Sequence, residues 1–155
     1  MQLSPHLVVT APAPIEELLG NWRWLVPQHA KLKVATALGD LFLLLDGAVS
    51  WLDVGTGELT RVATSKASFE AELQDAEQFS LWFGPSLVEA CETYGLRRKP
   101  SECFSYLQLP MLGGVYEPAN FKVRSLERHL AGWGPICERL APIPDGTTLE
   151  LDVRE

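Results

Sequence analysis

Five consecutive apolar residues, Leu41, Phe42, Leu43, Leu44 and Leu45, constrain this chain more than any other feature. A strand built from them has no polar side, so it must be central in a sheet and covered on both faces. Asp46-Gly47 follows as a two-residue hairpin signal, and Ala48 to Val54 returns with Val, Trp and Leu. Gly55-Thr56-Gly57 makes a second turn before Glu58 to Ala63. The pattern predicts a three-stranded antiparallel meander, with Asp46 and Asp53 serving turn geometry through bonds to nearby amides.

The flanking segments supply cover. Pro14 can open a helix over residues 14 to 25, with Ile15, Leu18, Leu19, Trp22 and Val26 on one stripe and Pro27 as the stop. Trp24 lies roughly opposite that stripe, either packed under another element or exposed as an aromatic anchor. Lys31 to Ala37 reads as a strand. Ser65 is the expected cap of a second helix with Phe69, Leu73 and Ala76 inward and Glu70, Gln74 and Glu77 solvated. A third helix is predicted from Ser80 to Tyr94, with Leu87, Val88, Cys91 and Tyr94 inward, Pro85 starting or kinking it, and Gly95 as its left-handed cap. Cys103 to Leu107 alternates like a strand. Leu126, Leu130, Trp133, Cys137 and Leu140 fit a last helical stripe that GWGP at 132–135 should bend or interrupt, and Thr147 to Val153 could add an edge strand. The expected fold class is α+β, a single domain with a central antiparallel β-meander packed with helices.

At 155 residues, 46% of them hydrophobic and 21% charged, the chain has the size and balance of one globular domain. No apolar run approaches a membrane span and MQLSPHLVVTAPAP lacks the features of a signal peptide, so the cytoplasm is the expected location, with no membrane partner. Cys91, Cys103 and Cys137 are widely spaced, with no CxxC pair, and read as buried free thiols. Between Asp40 and Leu96 ten acids face two bases, a balance of −8 that leaves +1 for the rest of a chain of net charge −7. Such a field repels nucleic acid and would attract a basic partner, or it serves solubility alone.

Motifs of catalysis and cofactor binding are weak. GTGELT lacks the third glycine and the following helix of a dinucleotide loop. Asp46 and Asp53 lack the run of oxygen ligands a calcium site needs. In GPSLV, Val88 occupies the position where a nucleophile elbow needs glycine. His129 and Cys137 are eight residues apart on one helical stripe, about 12 Å by the helical rise, too far for a thiolate and its base. No cofactor and no metal are expected. PMLGG at 110–114 is an apolar loop whose paired glycines suggest close backbone approach, to a ligand near Cys103, Tyr106, Gly113 and Tyr116 or to the chain itself.

The order of blocks resembles the C-terminal domain family of type VI secretion immunity proteins, formerly a domain of unknown function. The blocks are LLGNWRWLVP at 18–27, ALGDLFLLLDGAVSWLDVGTGELTRVATS at 37–65, LVEACETYGL at 87–96 and ECFSYLQLPMLGG at 102–114. The likeness runs from about 15 to 150 and treats 1–155 as a single immunity-like domain. The C-terminal AGWGPICERL departs from the more polar segment expected there. The resemblance implies a non-enzymatic bacterial cytoplasmic protein that binds and neutralises a cognate toxin by occlusion, in the founding case a DNase effector. It supplies no catalytic residue.

A nuclease holds a basic, phosphate-binding surface, to which an inhibitor can offer carboxylates. Glu70, Asp75 and Glu77, with Asp46 and Glu58 at the turns and Trp24 as an outlying aromatic, are the candidate contacts with a basic protein toxin. The alternatives are a small enzyme or ligand-binding domain with a pocket near PMLGG, and a housekeeping interaction module. The oligomeric state is left open by the sequence.

Overall fold

The computed structural model describes residues 3–143. Strands β1 (Val8–Val9), β2 (Lys31–Thr36), β3 (Leu41–Leu45), β4 (Ala48–Asp53) and β5 (Glu58–Ala63) form one antiparallel sheet in that order. The apolar strand β3 is its centre, and Leu41, Phe42 and Leu43 are wholly buried. Leu45 pairs with Ala48 across Asp46-Gly47, both at positive φ (52° and 81°), as a tight hairpin of matching twist requires. The expected single-domain α+β fold around a β-meander is what the chain adopts.

Three helices follow β5: α2 (Lys66–Glu72), α3 (Ala76–Phe83) and α4 (Pro85–Tyr94). Ser65 caps α2 in a box with Ser68, each side chain accepting from the other's backbone N–H. The expected second helix does not run on to Ala76: Asp75 starts α3, accepting from the N–H groups of Glu77 and Gln78. Nor is 80–94 one helix. Gly84 sits at φ 52°, a conformation that ends α3, and Pro85 begins α4. Phe69 of α2 and Trp82 and Phe83 of α3 gather their rings around Phe42, covering the sheet. Gly95 ends α4 in the left-handed region as expected, but Tyr94 is 62% exposed rather than inward.

The predicted first helix is the largest departure. Only α1 (Ile15–Leu18) is α-helical; a 3-10 turn, Gly20–Trp22, follows. Gly20 and Asn21 are poor helix formers, and the irregular path still buries Leu18, Leu19, Trp22 and Val26. Trp22 donates its indole N–H to the Leu130 carbonyl at 2.9 Å, tying this segment to the last helix.

Strands β6 (Glu102–Tyr106) and β7 (Phe121–Ser125) make a separate two-stranded sheet. Helix α5 (Leu126–Leu140) then runs unbroken through Pro135, so GWGP does not interrupt it. All five residues of the expected stripe are buried there. Gly134 is required by packing: a Cβ would come within 2.5 Å of the Asn21 carbonyl oxygen. The edge strand expected at 147–153 lies outside the described residues.

Candidate functional site

The sheet topology sets where the candidate acids can stand. Successive turns of a meander lie at opposite ends, so Asp46 in the β3–β4 turn and Glu58 after the β4–β5 turn are separated by the length of β4, about 20 Å at 3.3 Å per residue. Asp46 is exposed and lies 3.1 Å from His29 Nε2. Glu70, expected to be solvated, instead accepts from Lys33 of β2 at 3.0 Å, and that bond and charge hold its carboxyl below the ordinary range. Asp75 is exposed but spends one oxygen on the α3 cap, at 2.9 and 3.1 Å from the Glu77 and Gln78 nitrogens. Glu77 is exposed, as are Glu72 and Glu89 nearby. Trp24 is half-buried: its ring stacks on Trp22 at 5.8 Å and its N–H donates to the Asn21 carbonyl. The structure therefore divides the candidates among four places, the two ends of β4, the α2–α3 segment and the Trp22–Trp24 stack, rather than one patch.

At the Glu58 end two carboxylates turn inward. Asp40 is buried; its oxygens accept from the Val54 N–H at 3.1 Å and the Trp51 indole at 3.3 Å, linking the β2–β3 turn to β4. Burial, reinforced by the charge of Asp53, raises the Asp40 carboxyl well above its usual value. Burial also raises Asp53, which accepts from the Gly55 N–H at 3.1 Å. These two acids of the acidic segment are structural, and the charge offered to solvent is smaller than the sequence count.

One arrangement was not legible in the sequence. His129 Nε2 stands 3.1 Å from the Gly39 carbonyl oxygen, which can only accept, so Nε2 carries the proton and Nδ1 accepts from the Ser105 hydroxyl at 2.6 Å. Trp133 in turn donates to Ser105 Oγ at 3.3 Å. Serine and base are within reach, yet both side chains are wholly buried. Each donor and acceptor is already used, and the cluster joins β6, α5 and the β2–β3 turn. Burial pushes His129 down to about 4. The signal lay in helical spacing: His129 falls on the same buried face as Leu126 and Trp133.

The PMLGG loop is folded against its own chain. Asn120 accepts from the Gln108 N–H at 2.9 Å and donates to the carbonyls of Gln108 and Val115. A Cβ on Gly114 would overlap the Gln108 carbonyl oxygen, and Met111 N–H donates to Gly55 O at 3.1 Å. The close approach the glycines allow is therefore backbone to backbone, and Cys103 and Tyr106 beneath are buried. A cleft of about 700 Å³ lies elsewhere, between the N-terminal segment and α2–α4, with Leu7, Leu73 and Phe79 on its walls and Glu70 and Glu89 among its lining.

The three cysteines are free and buried. Among the described residues no three His, Cys, Asp or Glu side chains gather as a metal site would need, and no helix is long and apolar enough to cross a membrane.

No curated protein matches the chain. Residues 63–131, from the end of β5 into α5, match the family model described as T6SS immunity protein Tdi1, C-terminal, the immunity family that the sequence blocks resemble.

Proposed function

We propose that this chain is an immunity protein that binds a cognate protein toxin in the cytoplasm and neutralises it by occlusion, with exposed carboxylates meeting a basic surface on the toxin. The observation that carries the reading is the family match over 63–131, which includes α2 to α4. From Lys66 to Tyr94 six acids accompany one base, a balance of −5, and Glu72, Asp75, Glu77 and Glu89 are exposed there.

A nuclease toxin fits this charge. Its substrate-binding surface must attract phosphates, and carboxylates on an inhibitor occupy the same field while raising the association rate. Glu72 and Glu77 are the best-placed steering groups, because Glu70 is engaged by Lys33 and Asp75 by its helix cap. Asp46 and Glu58, at opposite sheet ends, belong to separate parts of any contact, and Trp24 to its margin.

The test is association kinetics with the product of the neighbouring gene as the toxin probe, purified as an inactive variant. Glu72→Lys with Glu77→Lys is expected to slow association about tenfold at low salt and to flatten its salt dependence. Association that ignores both the reversal and the salt would remove the charge argument.

A further inference from the structure

We infer that the loop from Leu107 to Tyr116 is the desolvated centre of the toxin interface, and that it takes an apolar cluster on the toxin flanked by lysine or arginine. The inference rests on the immunity reading above and names the contact that reading leaves unspecified.

Four large apolar residues stand out within ten positions: Leu107 is 53% exposed, Met111 37%, Val115 52% and Tyr116 55%. Single exposed leucines are ordinary on a protein surface; four large apolar residues exposed within one ten-residue loop are the densest such run among the described residues. The loop is also rigid in its construction. Asn120 holds both of its arms, Gln108 donates its side-chain amide to the Leu112 carbonyl at 2.8 Å, and Gly114 N–H donates to Leu109 O at 3.0 Å. A loop already bonded to itself loses little freedom on binding, so its apolar area contributes to affinity with little ordering cost.

The surroundings select the partner's chemistry. Met111 reaches the β4–β5 turn, where its terminal methyl would meet a Cβ on Gly57 at 3.5 Å, which brings the exposed Glu58 to the edge of the patch. Glu117, also exposed, follows Tyr116 on the other side. An apolar centre with an acidic rim complements an apolar centre with a basic rim. All of Leu107 to Tyr116 lies inside the residues matched by the immunity family.

The test uses the intact chain and the product of the neighbouring gene as the toxin probe, inactivated for purification, with binding followed in real time. Leu107→Ser with Val115→Ser is expected to raise the dissociation rate at least about tenfold while leaving association within about twofold, since apolar anchors act on residence and charges on encounter. Tyr94→Ser, an equally exposed apolar position on α4, is expected to leave both rates unchanged. Thermal melting of each variant checks folding; Tyr116→Ala provides a second loop variant if the double one melts early. Wild-type binding with unaltered dissociation of both loop variants would overturn this inference and leave the immunity reading standing. No wild-type binding would overturn the immunity reading, and this inference with it. A wild-type dimer that the loop variants turn into monomer would show a second copy of the chain as the occupant, and would also overturn it.

Discussion

Ser105 Oγ and His129 Nδ1 lie 2.6 Å apart in the interior, and this contact fastens the two-stranded sheet to α5 while the other ring nitrogen holds the Gly39 carbonyl. The pair has the composition of a catalytic dyad and the surroundings of a core joint.

The joint makes stability depend on pH in a defined window. Folded His129 titrates at about 4, against an ordinary value of 6.5. Below pH 6.5 the unfolded chain takes up a proton that the folded chain refuses, so this contribution is complete above 6.5 and declines as pH falls toward 4. Asp40 and Asp53 act in the opposite sense. Their raised carboxyls keep protons that the unfolded chain has released, so their contribution declines as pH rises above the ordinary carboxyl value. The comparison with His129→Gln cancels the carboxyl effects. The wild type's stability advantage over that variant is expected to shrink by about 3 kcal/mol between pH 7 and pH 4, at 1.36 kcal/mol per unit, as read by urea unfolding.

Gly39→Ala tests the same joint from its other side. Gly39 has φ 86°, and an added Cβ would overlap the His129 ring. Neither the backbone nor the wholly buried ring can yield cheaply, so a loss of about 3 kcal/mol or more is expected from thermal or denaturant unfolding. Gly47→Ala, also at positive φ but with open space around it, should cost only about 1 kcal/mol.

Asp75 combines a cap with a candidate contact, and two substitutions separate the roles. Asp75→Asn keeps a capping oxygen and is expected to melt within about 0.5 kcal/mol of wild type; Asp75→Ala loses the bonds to Glu77 and Gln78 and should cost about 1 kcal/mol. Both remove the charge, so both should slow toxin association alike. A slow association confined to the alanine variant would assign the effect to the helix end rather than to charge.

The thiols should be silent in the folded protein. Burial pushes Cys91 up to about 11 and Cys137 up to about 12, and Cys103 is wholly buried. An aromatic disulfide reagent at pH 8 is therefore expected to modify none of the three until denaturant is added, and then all of them.

Much of this fold was legible because local signals and burial agreed. An all-apolar β3 has only one place in a sheet, Asp46-Gly47 sets its register with β4, and Ser65 and Gly95 occupy the helix ends they were expected to occupy. Disagreement arose where several backbone paths bury the same side chains. The Leu18, Leu19, Trp22 and Val26 stripe is satisfied by a helical turn followed by a 3-10 turn, so its periodicity overstated the helix. Pro135 argued for a bend, yet α5 tolerates it at an exposed position. The candidate site was less legible than the fold. Nothing in sequence spacing ties Glu70 to Lys33, 37 residues away, or separates Asp46 from Glu58 by a strand's length. The exposed loop left no such trace: Leu107, Met111 and Val115 recur every four residues, as a buried helical stripe would, and only the structure places them on an exposed loop.

Neutralisation by direct, stoichiometric binding is read by titrating this protein into an activity assay of the product of the neighbouring gene. Inhibition is expected to rise linearly and to be complete at one equivalent, with calorimetry giving the same end point. Complete inhibition at a small fraction of an equivalent, or activity untouched at many equivalents, would rule out neutralisation by a one-to-one occlusion complex.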